Sequence, residues 1–411
     1  MLLVLNILGI LVCIGVAYIF SINRHQVQWK SILIVTALEI FMAWFLIAFP
    51  VGRAIVQGAA SGFAWLVDIA FEGIKFALAD MVSKEYGGTA VSMNFLTSAL
   101  MPILLVVPLF DILTYIGFLP WVIKWIGKFL SVITGQPKFE AFFSVEMMFL
   151  GNTEVLAVSK QQLDHMSQER NLTLAMMSMS CVTASILGSY MQMMPGQFVL
   201  TAVPLNILGA IIITGILNPL QISQADDVVY GSQTDNHERE PFFSFLGDSI
   251  LNAGKLILII LFTVISFVAL ASLVDHLLGL TGLKWLSLEN IMGVIMFPFT
   301  IFMGFDPSHA FELARYMGTK LVTNEFVVMG EVSKAVMGHH GIFASAHARA
   351  VLTVFLTSFA NFGTLGMIIG AFKGLVEKSK VDYISNQVPR MLLSGILVSA
   401  LSATVAGLFI W

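Results

Sequence analysis

The residues best suited to chemistry in this 411-residue chain are two glutamates, each at the end of a short polar turn in an otherwise apolar stretch. Glu154 ends the turn 151–154, and Glu325 ends the turn 323–325, with Lys320 five positions before it. Inserting a charged side chain at membrane depth costs roughly 2.5 to 3.5 kcal/mol of free energy. A carboxylate found there therefore indicates a functional site. Two similar turns, one in each half of the chain, predict a single binding site built from two parts.

These residue types favour a polar, uncharged ligand. Carboxylate oxygens accept hydrogen bonds and amides both donate and accept, which suits the hydroxyls of a sugar or the N–H groups of a heterocycle. The alternative for Glu325 is structural, because Lys320 lies about one helical turn away and can form an ion pair with it.

The composition places this site in a membrane protein. Hydrophobic residues make up 57% of the chain and charged residues only 11%, which is outside the range of soluble globular proteins. The net charge is -4 and there is no large basic cluster, so a nucleic-acid partner is not expected. We therefore predict an all-α polytopic membrane protein with about eight transmembrane helices, which retains its apolar N-terminal segment as the first span.

Two pairs of unusual segments must position the polar turns. The arms of 138–165 and 308–337 are too short to cross a bilayer of roughly 30 Å, so each predicts a re-entrant hairpin. Each hairpin is followed by a helix-length segment interrupted by small polar residues, 172–195 and 346–372. This arrangement in both halves indicates an inverted-repeat transporter with its site between the repeats.

The rest of the chain divides around these segments. We expect scaffold helices and amphipathic surface helices in 1–118, and a first transport half in 119–220. A polar cytoplasmic linker at 221–245 and a long scaffold helix with its connection at 246–290 lead to a second transport half at 291–411. Glu39, inside the second predicted span, is expected to face other protein in a structural role.

A histidine group offers a function of a different class. His339, His340 and His347 favour a metal-dependent intramembrane enzyme if they converge, although their spacing matches no common zinc motif. Cys13 and Cys181 are expected to be packed in the core. We predict no metal site, no cofactor and no enzymatic activity.

Three motifs make the chain resemble the concentrative nucleoside transporter family over essentially its whole length. Residues 151–154, Gly-Asn-Thr-Glu, are close to the family's Gly-Gln-Thr-Glu, and 318–327 match its Gly-x-Lys-x-x-x-Asn-Glu-Phe-Val. Residues 358–362, Ser-Phe-Ala-Asn-Phe, are close to its Gly-Phe-Ala-Asn-Phe. The resemblance implies an elevator-type homotrimer, in which a scaffold holds a transport domain that moves with the nucleoside.

The resemblance also implies a role for individual residues. Five would line the nucleobase pocket: Asn152, Thr153, Glu154, Ile186 and Leu187. Four would hold or border the ribose, namely Glu325, Asn361, Thr364 and Phe359, with Lys320 and Asn324 in support. Asn152 stands where the family has glutamine, which could alter the base preference, and Thr364 stands where serine is common. Purine or pyrimidine preference stays open.

The coupling ion is predicted from one further difference. Met147 occupies the position of the asparagine that serves as a sodium ligand in sodium-coupled members, and a thioether is a poor ligand for a hard cation. The resemblance therefore favours a proton-driven nucleoside importer of a prokaryotic cytoplasmic membrane, with sodium coupling as the alternative. Glu146, Glu154 and Glu325 are the candidate proton carriers, and Thr183 is a further candidate near the coupling ion.

Overall fold

The computed structural model describes residues 2–78, 85–86, 89–90, 94–222, 227, 241–283 and 285–411. The side chains of 85–86, 89–90 and 152–153 lie outside this description. Most of the predicted linker, 221–245, also falls outside the described residues.

Helices dominate the described chain, as predicted. In order they are α1 (Leu2–Ile19), α2 (Trp29–Ile47), α3 (Pro50–Ala77), α4 (Ile103–Tyr115), α5 (Phe118–Thr134), α6 (Lys138–Phe149), α7 (Asn152–Val158), α8 (Lys160–His165), α9 (Gln168–Ser178), α10 (Ala184–Met191), α11 (Gly196–Leu217), α12 (Phe242–Gly279), α13 (Leu288–Phe302), α14 (Pro307–Val322), α15 (Glu325–Gly338), α16 (Ala346–Leu356), α17 (Phe362–Leu375), α18 (Lys378–Ser385) and α19 (Val388–Gly407). A π-helical turn, Leu96–Leu100, leads into α4, and short 3₁₀ turns occur at Arg24–Gln26 and Gly341–Ala344. Two antiparallel strands of two residues each, Glu85–Tyr86 and Thr89–Ala90, complete the elements.

Seven helical segments in the described residues are long and apolar enough to cross a membrane. They are α1, α2, α3, the segment 96–115, α11, α12 and α19. The region from 50 to 77, expected as amphipathic surface helices, is one continuous helix of 28 residues. It is rich in alanine, and its one proline, Pro50, is at its first position, where proline does not interrupt a helix.

The two predicted hairpins are built from short helices joined by the polar turns. In the first, α6 ends at Phe149 and α7 begins at Asn152, with α8 extending the return arm. In the second, α14 ends at Val322 and α15 begins at Glu325. The polar turns therefore coincide with the helix ends, where backbone groups need side-chain partners.

The two interrupted segments are broken helices that pass close to each other. Residues 179–183 separate α9 from α10, and 357–361 separate α16 from α17. Helix α19 runs against both breaks at Gly395, where an added Cβ would lie 2.9 Å from the Cβ of Ala360 and 3.2 Å from that of Met179. Glycine is thus required for this close approach, which brings the breaks of the two halves together, as predicted.

The core is centred on α11, which is buried along most of its length. Helices α2 and α19 pack against α11, and α1 packs against α19. Helix α4 instead pairs with α12, whose side chains are mostly exposed. Although sequence reasoning grouped 1–118 as scaffold, α1 and α2 pack on helices of the predicted transport halves.

Candidate functional site

The tip of the second hairpin is stabilised by its own polar residues. Thr323 follows α14, and the side-chain oxygen of Asn324 accepts a hydrogen bond of 3.1 Å from the backbone N–H of Val327. Asn324 thereby caps α15 and satisfies one of the free N–H groups at the start of the helix. Glu325 becomes the first residue of α15, and the positive end of the helix dipole stabilises its carboxylate.

The carboxylate of Glu325 is held by side chains from two other helices. Its Oε2 accepts a hydrogen bond of 3.1 Å from the Nδ2 of Asn361, and its Oε1 accepts one of 2.9 Å from the hydroxyl of Tyr190. All three side chains are buried. The fold thus joins the second hairpin with both broken helices, and two of the predicted residues, Glu325 and Asn361, are in direct contact.

Asn361 has a second task at the break of its helix. Its Oδ1 accepts a hydrogen bond of 2.8 Å from the backbone N–H of Thr364, so it caps α17. Thr364 is buried beside it, and Phe359 lies half-buried in the break. This cap explains why the helix restarts here: asparagine is a favoured N-cap residue, so it ends the irregular segment and begins the next helix.

Lys320 does not form the ion pair with Glu325 that was the structural alternative. It is fully buried, and its Nζ donates hydrogen bonds of 2.6 Å to the backbone oxygen of Phe355 and 2.6 Å to the hydroxyl of Ser358. Ser399 lies 3.5 Å from the same nitrogen. The ammonium therefore binds the C-terminal end of α16, where the helix dipole favours a cation. This arrangement leaves the Glu325 carboxylate to Asn361 and Tyr190.

The first hairpin contributes differently. Glu154 is exposed, and its Oε2 accepts a hydrogen bond of 3.0 Å from the backbone N–H of Gly151, so it caps its own helix. Helix α7 packs against α17, the helix that Asn361 caps. Asn152 and Thr153 begin α7, but their side chains lie outside the described part. Within the described residues, no hydrogen bond joins Glu154 to Glu325.

The other predicted base-pocket residues lie on α10 with Tyr190. Ile186 and Leu187 are both buried there. Tyr190 is one helical turn beyond Ile186, on the same face. Sequence reasoning missed Tyr190. The spacing of four from Ile186 was the available signal, but a single tyrosine in an apolar helix is usually a packing residue.

One of the candidate coupling residues, Met147, contacts the end of α9. Met147 is fully buried, and its sulfur lies 3.4 Å from the hydroxyl of Ser178, the last residue of α9. Glu146 is half-buried on the same arm of the hairpin. Thr183, in the break, accepts a hydrogen bond of 3.3 Å from the hydroxyl of Ser185. Met147 thus presents a thioether at the helix end.

The histidines do not converge. His347 is buried, and its two ring nitrogens lie 2.8 Å and 2.9 Å from the backbone oxygens of Ile410 and Met303. His339 and His340 are exposed at the end of α15. No group of three or more His, Cys, Asp or Glu side chains in the described residues is arranged to hold a metal ion. The metal-enzyme alternative therefore lacks its site.

Comparison with protein-family models gives three matches that together cover most of the chain. They are described as "Na+ dependent nucleoside transporter C-terminus" for residues 198–407, "Na+ dependent nucleoside transporter N-terminus" for 8–81 and "Nucleoside recognition" for 96–196. The purine nucleoside transport protein NupG of Bacillus subtilis is 40% identical over 407 residues, which is 99% of each chain. The chain belongs to the concentrative nucleoside transporter family.

More distant relatives agree with this assignment. The nucleoside permease NupC of Helicobacter pylori is 26% identical, over 98% of this chain and 97% of its own. Among solved structures, CNTnw in an inward-facing substrate-bound state has a TM-score of 0.89 at 23% identity, covering 100% of this chain and 98% of that one. A CNTnw variant in an outward-facing state gives 0.90, also at 23% identity, with 100% and 99% coverage. This transporter is accordingly a multi-pass cell-membrane protein and not an enzyme.

Proposed function

We propose that this family member imports nucleosides together with protons, by an elevator form of alternating access. The observation that carries the proposal is the carboxylate of Glu325, held by Asn361 and Tyr190 where the second hairpin meets both broken helices. A buried carboxylate with two donors already in place has acceptor positions left for a ligand with hydroxyl groups. Such a ligand is the ribose of a nucleoside.

The sugar and the base are assigned to opposite sides of this site. Glu325 and Asn361 bind the ribose hydroxyls, with Thr364 and Phe359 beside them. Ile186 and Leu187 form an apolar wall for the base, and Asn152, Thr153 and Glu154 on the first hairpin supply its polar contacts. The packing of α7 against α17 supports this division, because it brings the start of the first hairpin's return helix to the sugar-side helix.

Proton coupling is supported by the surroundings of Met147. Hard cations such as sodium prefer oxygen ligands, and the end of α9 is here faced by a thioether at 3.4 Å from Ser178. Sodium coupling is the alternative, and the descriptions of the matching family models favour it.

Uptake by purified protein in proteoliposomes distinguishes the two coupling ions. Under proton coupling, labelled adenosine accumulates when the outside is more acidic than the inside, without sodium, and a protonophore abolishes the accumulation. Accumulation driven by an inward sodium gradient at equal pH would instead establish the sodium alternative. Absence of any nucleoside uptake, driven or passive, would contradict the transport function itself.

Purine nucleosides are the first substrates to test. NupG of Bacillus subtilis is named a purine nucleoside transport protein, and it shares 40% of its residues with this chain. We propose the same preference here. Competition of labelled adenosine uptake by inosine, guanosine, uridine and cytidine measures it directly, and stronger inhibition by the pyrimidine nucleosides would contradict it.

The elevator movement and a homotrimer are proposed from the division of the helices. The pairing of α4 with α12, whose side chains are mostly exposed, supports a static scaffold. The hairpins and broken helices would move against it with α1 and α2, which pack on α11 and α19.

A further inference from the structure

Tyr190 is the most deeply enclosed side chain at the sugar site. It is 0% exposed, and its ring packs edge to face on Phe326 with the ring centres 5.0 Å apart. Phe326 in turn contacts Phe95 at 5.5 Å. The phenol ring is therefore fixed by aromatic neighbours, and its hydroxyl is directed at Glu325.

The side-chain hydrogen bonds on the Glu325 carboxylate are divided evenly between its two oxygens. Tyr190 donates to Oε1 and Asn361 donates to Oε2. Each carboxylate oxygen accepts about two hydrogen bonds, so each keeps one acceptor position. One donor alone would allow the carboxylate to rotate about its terminal bond, whereas donors on both oxygens fix its plane.

We propose that Tyr190 is a positioning residue that fixes the Glu325 carboxylate and so makes the transporter selective for sugars with both the 2′ and the 3′ hydroxyl. This inference rests on the proposed function. A fixed carboxylate offers its two remaining acceptor positions at a set separation, which suits two neighbouring hydroxyl donors. A sugar lacking one hydroxyl leaves one buried acceptor without a partner, and the fixed plane prevents the carboxylate from turning to compensate.

Tyr190→Phe tests this role because it removes only the hydroxyl. KM and maximal rate are measured for three nucleosides with one base: the ribonucleoside and its 2′-deoxy and 3′-deoxy forms. The wild type is expected to prefer the ribonucleoside by roughly tenfold or more over either deoxy form. In the variant, the KM for the ribonucleoside rises roughly threefold to tenfold while the KM values for the deoxy forms change less, so the preference falls. Maximal rates stay near the wild-type value.

The preference is a ratio within one preparation, so it does not depend on how much variant protein folds. Tyr316→Phe is the matched control, because Tyr316 is a half-buried tyrosine of α14 that does not contact Glu325, and its preference should equal that of the wild type.

Three results would overturn the inference. An equal rise in KM for all three nucleosides would show that Tyr190 acts only through packing. A wild type that transports the ribonucleoside and both deoxy forms equally well would remove the selectivity but leave nucleoside transport standing. A wild type without nucleoside uptake would remove the proposed function and this inference together.

Discussion

At the scale of single residues, the proposed proton coupling rests on one side chain at the end of α9, Met147. Met147 is fully buried, and its sulfur lies 3.4 Å from the hydroxyl of Ser178, the last residue of that helix. Replacing the thioether by an amide would add an oxygen ligand of the kind that hard cations prefer.

We expect Met147→Asn to make nucleoside uptake respond to sodium. An inward sodium gradient at equal pH should stimulate uptake by the variant and not by the wild type. Met148→Asn, which changes the half-buried neighbour, is the control and should not respond. A variant that keeps proton-driven uptake and ignores sodium would show that this position does not select the ion.

Glu39 presents a second residue-scale case. It is fully buried in α2, its Oε1 lies 3.5 Å from the hydroxyl of Ser402, and its Oε2 has no hydrogen-bond partner. The salt bridges of the described residues do not include it. A buried charge without a cation is unfavourable, so a neutral side chain of the same size should be accepted.

Glu39→Gln should therefore leave thermal stability and adenosine uptake close to the wild type. Glu39→Ala should lower the melting temperature, because it leaves a cavity and removes the partner of Ser402, at a cost of about 2 to 4 kcal/mol. Thermal unfolding of the purified variants measures both. Loss of proton-driven accumulation in Glu39→Gln, with exchange of nucleoside retained, would assign Glu39 to coupling instead of structure.

The residues that the sequence could predict are those that interrupt an apolar pattern. Glu325 and Asn361 stand out because carboxylates and amides are costly in apolar surroundings. Tyr190 does not stand out, because a tyrosine fits an apolar helix and only the three-dimensional contact reveals its task. The sequence also could not show that Lys320 and Glu325 have different partners, since a spacing of five residues permits an ion pair but does not require one.

At the scale of elements, Lys320 stabilises the broken end of α16. A helix that stops inside the protein leaves carbonyl oxygens without intrahelical partners. The Lys320 ammonium supplies a donor to the backbone oxygen of Phe355 and lies 4.6 Å from the centre of its ring. The second hairpin and the second broken helix are joined at this point.

Lys320→Met should destabilise the protein by about 2 to 4 kcal/mol, because it removes the donor while keeping a side chain of similar length. A lower melting temperature by fluorescence-detected size exclusion would show it. Lys334→Met, at an exposed lysine of α15, should leave the melting temperature unchanged. Equal stability of the two variants would mean that the α16 end does not need the ammonium.

The sequence predicted those helix ends that polar side chains cap. The hairpin turns and helix breaks coincide with polar residues because those residues cap the helices that follow them, as Asn324 and Asn361 do. The region of α3 was expected to hold amphipathic surface helices, and it is one continuous helix. Nothing in 51–77 forces a break, since no proline occurs there, and the chain continues as one helix.

At the scale of the whole molecule, the exposed apolar surface of α12 is not covered by the rest of the chain. It has 38 residues, and few of them are buried. Large apolar side chains along it are exposed, among them Leu251, Leu258 and Phe262. Lipid or neighbouring subunits can cover such a surface, and the proposed homotrimer uses it.

Native mass spectrometry should find three chains per particle for the wild type. Phe262→Glu should shift the particle toward single chains, since a charge on this surface disfavours apolar contact between subunits. Leu33→Glu, which alters an equally exposed leucine of α2, should leave the trimer intact. A wild type with one or two chains per particle would contradict the homotrimer.

Calorimetric titration of adenosine into the purified protein shows whether Glu325 belongs to a nucleoside site. Glu325→Gln keeps the size of the side chain but removes the charge that is proposed to bind the ribose hydroxyls. We expect this variant to lose about 1 to 3 kcal/mol in binding free energy, or roughly 5- to 150-fold in Kd. Glu312→Gln, at an exposed glutamate of α14, should bind as the wild type does. Equal adenosine affinity for wild type and Glu325→Gln would show that Glu325 does not belong to the nucleoside site.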